Sequence, residues 1–170
     1  MDFSRIKIVA TDVDGVLTDS RIFYGDAGKR GKFFSVRDGF AFKLLKLAGI
    51  KSVIISGKKT GIVKTRFSDV QVDSIYENVN DKMAVIKKIC RKECVTMEEI
   101  CYIGDDILDI EVLKSVGFSV APRDADEEIK SVVMYVTARK AGEGAFRECV
   151  EIILKGQKKW QKVLEKSLQF

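Results

Sequence analysis

The chain has 170 residues, 46% of them hydrophobic, one proline, no histidine and a formal net charge of +5. That is enough apolar chain for a proper core, while no apolar run nears the ~18–20 residues that cross a bilayer. Its absent histidines exclude Ser-His and Cys-His nucleophiles, and Cys90, Cys94, Cys101 and Cys149 form no CxxC pair, which argues against structural zinc and disulfides.

The first residues pass straight into a strand with no leader character, so a cytoplasmic location is expected and no membrane contact. Residues 6–10 are mostly apolar, as in a strand covered on both faces, and the run ends in Asp12 and Asp14. Alternation along an extended chain points both carboxylates the same way, and Gly15 lets the backbone turn. Two like charges so close imply a metal or acid–base work. Residues 21–24 and 32–36, rich in aromatic and β-branched side chains, flank the turn-forming Gly25-Asp26-Ala27-Gly28 and read as a hairpin flap over the strand tip. Asp38 reads as the N-cap of a helix carrying Phe40, Ala41, Leu44, Leu45 and Ala48 inward and stopped by Gly49.

A second buried strand over residues 51–56 ends in Ser56-Gly57-Lys58-Lys59-Thr60, and a short helix follows through Ile62, Val63 and Phe67. A hydroxyl and a glycine before a helix N-terminus form a ready anion site, which makes Ser56 a phosphate-contact candidate. After a strand over residues 73–77, Asn80 opens a helix with Lys82 in its first turn, where the helix dipole disfavours a cation and another purpose is implied. Thr96 to Glu99 carries a capping box, and a strand over residues 100–103 ends in Gly104-Asp105-Asp106, with Asp109 on the first turn of a helix through Val112, Leu113 and Val116. Further strands are expected over residues 118–121 and 132–136, with a helical turn opened by the acidic residues 124–128 between them. Gly142-Glu143-Gly144 leads into a helix through Val150, Ile153 and Leu154, and residues 155–170 read as a basic amphipathic tail with Trp160, Val163 and Leu164 on one face, packing on the domain's own surface.

Alternating short strands and helices predict an α/β fold, a doubly wound parallel sheet, in one domain spanning residues 1–170 with the flap at about 21–36 and a helical tail at about 155–170. Only about 36 residues separate the first two motif strands and about 26 separate Ser56 from Lys82, too few for a cap domain. Lysines and arginines are scattered without an interleaved aromatic platform, so an anionic small substrate is an equally economical reading of the basic balance and no nucleic-acid partner is expected.

Asp12-Val13-Asp14-Gly15-Val16-Leu17-Thr18, the hydroxyl Ser56, Lys82 and Gly104-Asp105-Asp106 with Asp109 together resemble the four motifs of the haloacid dehalogenase-like phosphohydrolases. Phe34-Ser35-Val36-Arg37-Asp38-Gly39 and Gly144-Ala145-Phe146-Arg147-Glu148 narrow the likeness to the capless 3-deoxy-D-manno-octulosonate 8-phosphate phosphatases, over nearly the whole of residues 6–154. The resemblance implies a Rossmann-like, haloacid dehalogenase-like fold and a Mg²⁺-dependent homotetramer serving lipopolysaccharide synthesis. It makes Asp12 the nucleophile and Asp14 the acid–base. Asp12, the Asp14 carbonyl and Asp105 become metal ligands supported by Asp106 or Asp109, Lys82 steadies nucleophile and phosphate, and Ser56 and Gly57 contact the phosphoryl group. Arg37, Lys58, Lys59 and Arg66 are candidates for the sugar carboxylate. Ser56-Gly57-Lys58 stands where the family often has Thr-Gly-Arg, and Ala141-Gly142-Glu143-Gly144 where it has Gly-Gly-x-Gly, which leaves a nine-carbon sialic-acid-type 9-phosphate as an alternative substrate. A non-catalytic assembly module like those fused to sialate cytidylyltransferases, and a phosphomutase or broad phosphatase, are the further readings. A capless chain either accepts bulky substrates or takes its lid from a neighbouring subunit, and self-association is the expectation here.

Overall fold

The computed structural model describes residues 2–28 and 30–169. Met1, Lys29 in the expected flap and Phe170 in the expected tail lie outside the described residues. A six-stranded, all-parallel sheet runs in the order β5-β4-β1-β6-β7-β8, made of β1 Ile8–Thr11, β4 Lys51–Ile55, β5 Ser74–Tyr76, β6 Ile100–Ile103, β7 Phe118–Ala121 and β8 Tyr135–Val136. The chain builds outward from β1 through β4 to β5, then returns to the other side of β1 for β6, β7 and β8. That reversal puts the tip of β1 at the switch point where open α/β sheets bind ligands.

β1 is buried at every position, so its two faces meet two separate cores. Val9, Cys101 and Ile54 pack with α1 Val36–Ala48 and α6 Ala145–Gly156, while Ile8, Ala10, Val53 and Tyr102 pack with α3 Lys82–Glu93 and α4 Ile110–Leu113. Asp12 shares its parity with Ile8 and Ala10, and its side chain therefore emerges on the α3 side. α2 Gly61–Asp69 and α5 Glu127–Lys130 are short, and α7 Trp160–Ser167 closes the described chain.

Four expectations shift. The flap is a hairpin of only two-residue strands, β2 Phe23–Tyr24 and β3 Arg30–Gly31, joined through a 3-10 turn over Asp26–Gly28. Residues 32–35 pair with no strand, and Val36 already belongs to α1, because Ser35 takes the N-cap by accepting from the Asp38 N–H at 3.3 Å. Asp38 is therefore not its own helix's cap; it turns inward, and Phe42 rather than Phe40 fills the core, stacked on Phe146 at 4.5 Å. Asp81, not Asn80, caps α3, its side chain accepting from Ala84 N–H at 2.8 Å. The expected tail is broken: residues 155 and 156 complete α6, Lys158 is left-handed at φ 56°, and α7 starts at Trp160. Its Val163 is buried in the main core, as expected for a tail lying on its own domain.

Candidate active site

The parallel register sets three strand tips side by side. Thr11 lies level with Ile54 and Ile103, so Asp12, Ser56 and Gly104-Asp105 all leave the same edge of the sheet. Lys82 is the first residue of α3, packed on the face to which Asp12 points, and from there it bridges two carboxylates: Nζ donates to Asp12 Oδ2 at 2.8 Å and to Asp109 Oδ1 at 2.6 Å. This answers why a cation sits at a helix N-terminus, for two buried carboxylates outweigh the dipole.

Asp109 is wholly buried and saturated. Besides Lys82 it accepts from the Tyr102 hydroxyl at 2.5 Å and from the Asp105 and Asp106 N–H groups at 3.2 and 3.3 Å. Its task is to hold Lys82 and shape the loop. Tyr102, whose hydroxyl burial and the adjacent Asp109 push well above its ordinary pKa, belongs to the same network and was not singled out from sequence, since an aromatic inside a strand carries no signal of its own. Asp106 is exposed and caps its own turn, its Oδ1 accepting from Ile107 N–H at 2.6 Å.

Asp105 differs. Its Oδ1 is buried with no hydrogen-bond partner, and Asp12, Asp105 and Asp109 offer carboxylate oxygens within 4.8 Å of one another. Burial, with Asp12 next to it, pushes its carboxyl up to about 8. Burial likewise raises Asp12 to about 6 although Lys82 pulls the other way, and Lys82 itself stays above its ordinary value because Asp12 and Asp109 outweigh its own desolvation. A buried carboxylate oxygen without a partner beside two more carboxylates is a charge problem that a hard divalent cation solves, and an all-oxygen donor set fits Mg²⁺. Gly15 completes the cradle, for a Cβ there would stand 1.7 Å from Asp105 Oδ2.

Asp14, half-buried, is ion-paired to a residue the motifs did not flag: Lys32, just after β3, donates to its Oδ1 at 2.6 Å and its Oδ2 at 2.9 Å. Ser56 is buried at the tip of β4. Its N–H is taken by Tyr76 O, and its hydroxyl folds onto Lys58, accepting from the Lys58 N–H at 3.3 Å. Gly57, Lys58 and Lys59 are exposed beside it. Arg66 and Lys59 line a basic cavity of about 870 Å³ with Arg30 and Lys32, whereas Arg37 stands exposed on the first turn of α1 and outside that cavity. Of the four basic candidates for a sugar carboxylate, two are thus gathered and Lys58 and Arg37 are not.

The two motifs that narrowed the resemblance also meet. Buried Asp38 accepts from Gly144 N–H at 3.1 Å and Arg147 N–H at 2.8 Å, capping α6 from another helix because Gly144, at φ 107°, has no side chain to do so.

A family model described as haloacid dehalogenase-like hydrolase matches residues 62–148. The chain is 37% identical over 155 residues to the 3-deoxy-D-manno-octulosonate 8-phosphate phosphatase of Haemophilus influenzae, covering 91% of this chain and 86% of the relative. The corresponding Yersinia pestis phosphatase is 34% identical, over 92% and 83%. Among solved structures, the Moraxella catarrhalis phosphatase in complex with magnesium, phosphate and KDO superposes with a TM-score of 0.93 at 32% identity, over 97% of this chain and 95% of that one. The cobalt-bound Haemophilus influenzae phosphatase gives a TM-score of 0.89 at 36% identity, over 94% of each.

Proposed function

Since this chain belongs to the 3-deoxy-D-manno-octulosonate 8-phosphate phosphatase family of haloacid dehalogenase-like hydrolases, we propose that it hydrolyses that eight-carbon sugar-acid phosphate, or a close relative of it, by way of an aspartyl-phosphate. The observation that carries this reading is the Asp12–Lys82–Asp109 chain beside the unpartnered Asp105 oxygen, at the switch point of the sheet.

A carboxylate of Asp12 attacks phosphorus; the new O–P bond forms as the bond from phosphorus to the sugar oxygen breaks, and Asp14 gives its proton to that oxygen. Water then attacks the phosphorus, Asp14 takes the water's proton, the acyl-phosphate O–P bond breaks and free phosphate leaves with Asp12 restored. Lys82 holds the attacking carboxylate ionised and aimed, and Asp109 holds Lys82. Mg²⁺, which Asp12, Asp105 and the main-chain carbonyl of Asp14 would bind with Asp106 and Asp109 shaping the loop, supplies when bound the positive charge that lets a dianionic phosphate approach these carboxylates. Ser56 and the Gly57 amide receive phosphate oxygens, and Lys59 and Arg66 face the sugar acid.

The product would feed lipopolysaccharide precursors in the bacterial cytoplasm. The exposed aromatics of the flap, Phe23, Tyr24 and Phe33, support self-association, most simply a tetramer, with a neighbouring subunit closing the site; a monomeric active species in sedimentation refutes that part. Phosphate release, with and without Mg²⁺, is to be compared between the eight-carbon substrate, a nine-carbon sialic-acid-type 9-phosphate and simple sugar phosphates. Strong Mg²⁺-dependent preference for the eight-carbon ester is expected. Preference for the nine-carbon ester keeps the mechanism and changes the substrate, and no release from any ester refutes the enzyme reading.

A further inference from the structure

The Asp14 side chain keeps 32% of its surface exposed on the loop after β1, so the loop alone does not fix its direction. Thr18 Oγ1 reaches Asp14 Oδ1 at only 3.5 Å, the far limit of a hydrogen bond. Lys32 supplies the firm contact: its side chain is 2% exposed, and its ammonium spans both carboxylate oxygens. The backbone that delivers it is held on each side, by the β2–β3 pairing that ends at Gly31 and by Phe34, whose ring packs edge-on against Phe67 at 5.6 Å. Breaking the pair would strand a buried ammonium, which is costly.

We propose that Lys32 is a positioning residue for the phosphatase reaction, acting through Asp14, so that the direction of the acid–base carboxyl is set by the flap. The inference rests on the phosphatase reading above. Lys32 also borders the basic cavity with Arg30, Lys59 and Arg66, and a lysine there could instead bind the substrate's anionic groups directly. The two roles have different chemistry. A substrate ligand acts on binding, whereas a residue that aims the general acid acts on the cleavage step, in proportion to how much the departing oxygen needs a proton. A sugar alkoxide needs one; a nitrophenolate does not.

The test is Lys32→Met, which keeps the length of the stem and drops the ammonium, measured in the full-length protein with saturating Mg²⁺ on the preferred sugar phosphate and on p-nitrophenyl phosphate. The ratio kcat/KM reports the steps through loss of the leaving group. For the sugar ester, kcat and kcat/KM are expected to fall about 10- to 100-fold with KM within about 2-fold of wild type, as a misaligned catalytic group costs. The loss in kcat/KM on the aryl ester is expected to be several-fold smaller. A raised KM at constant kcat would make Lys32 a substrate ligand and overturn the proposal, and equal losses on both esters would make it a mere flap anchor. An Asp14→Asn background gives a second check: adding Lys32→Met should cost the residual aryl-ester activity nothing further, and any additional loss contradicts action through Asp14. Wild-type protein that releases phosphate from no ester sinks the phosphatase reading together with this inference, whereas active wild type with unchanged Lys32→Met sinks the inference alone.

Discussion

Replacing Asp105 by asparagine should make the metal-free protein more stable while removing its response to Mg²⁺. In the folded chain burial and neighbouring carboxylates raise Asp105 to about 8 from 3.8. A carboxyl raised in this way binds its proton more tightly folded than unfolded, so its stabilising effect is complete below pH 3.8 and is lost as pH climbs through 8. At about 1.4 kcal/mol per pH unit, holding this group folded at pH 7 costs about 4 kcal/mol if the whole shift is counted, and solvent at its exposed edge cuts that to about 2 kcal/mol. Asparagine has the same shape and no charge to bury. Thermal unfolding in excess EDTA should therefore show Asp105→Asn melting about 4–8 °C above wild type at pH 7, with the gap shrinking toward pH 5. Added Mg²⁺ should reverse the order, raising the wild-type midpoint more at pH 8 than at pH 6 and leaving the variant where it was. A variant that melts at or below wild type in EDTA at pH 8 would refute the picture of an uncompensated carboxylate awaiting a cation.

Asp12→Asn should lose at least about 10³-fold in phosphate release while its urea midpoint stays at or above that of wild type, because Lys82 retains Asp109. Lys82→Met leaves Asp12 and Asp109 buried without their cation, and urea unfolding at pH 8 should show a loss of about 3–5 kcal/mol together with inactivity. Asp38→Ala removes both acceptors that cap α6, a cost of about 2 kcal/mol in the same assay, and amide exchange should quicken first at Gly144 and Arg147.

Much of the fold was legible because its central strands, β1, β6 and β7, are buried at every position. β6 and β7 occupy the bounds expected for them, residues 100–103 and 118–121, and the Thr96 capping box stands as its spacing predicts. Reading failed where a local signal had two physical outlets. Ser35 and Asp38 are both good N-caps three residues apart, and local sequence does not say that Asp38 has a better use, capping a helix whose own cap position is glycine. Phe40 and Phe42 are equally apolar, and only the position of α6 decides which one is buried. At the site, Asp12, Asp105 and Lys82 were visible as charges placed where charges are costly. Lys32 was not, since a lysine in a hairpin is ordinary until the hairpin folds over Asp14.

The bonds from Gly144 and Arg147 to Asp38 span 106 and 109 residues. During synthesis the ribosome delivers β1 first, yet its two neighbours, β4 and β6, arrive some forty and ninety residues later. The loop after β1 is braced later still, when Gly142 N–H reaches Val16 O and α6 docks on Asp38. Closure over such separations is slow and entropically expensive, so it comes late in folding. A nascent chain halted before residue 142 thus carries Asp12, Asp14, Lys82 and Asp105 without the brace behind them. The proposed site would therefore mature with translation, an unfinished chain presenting the residues proposed for the chemistry but not their alignment.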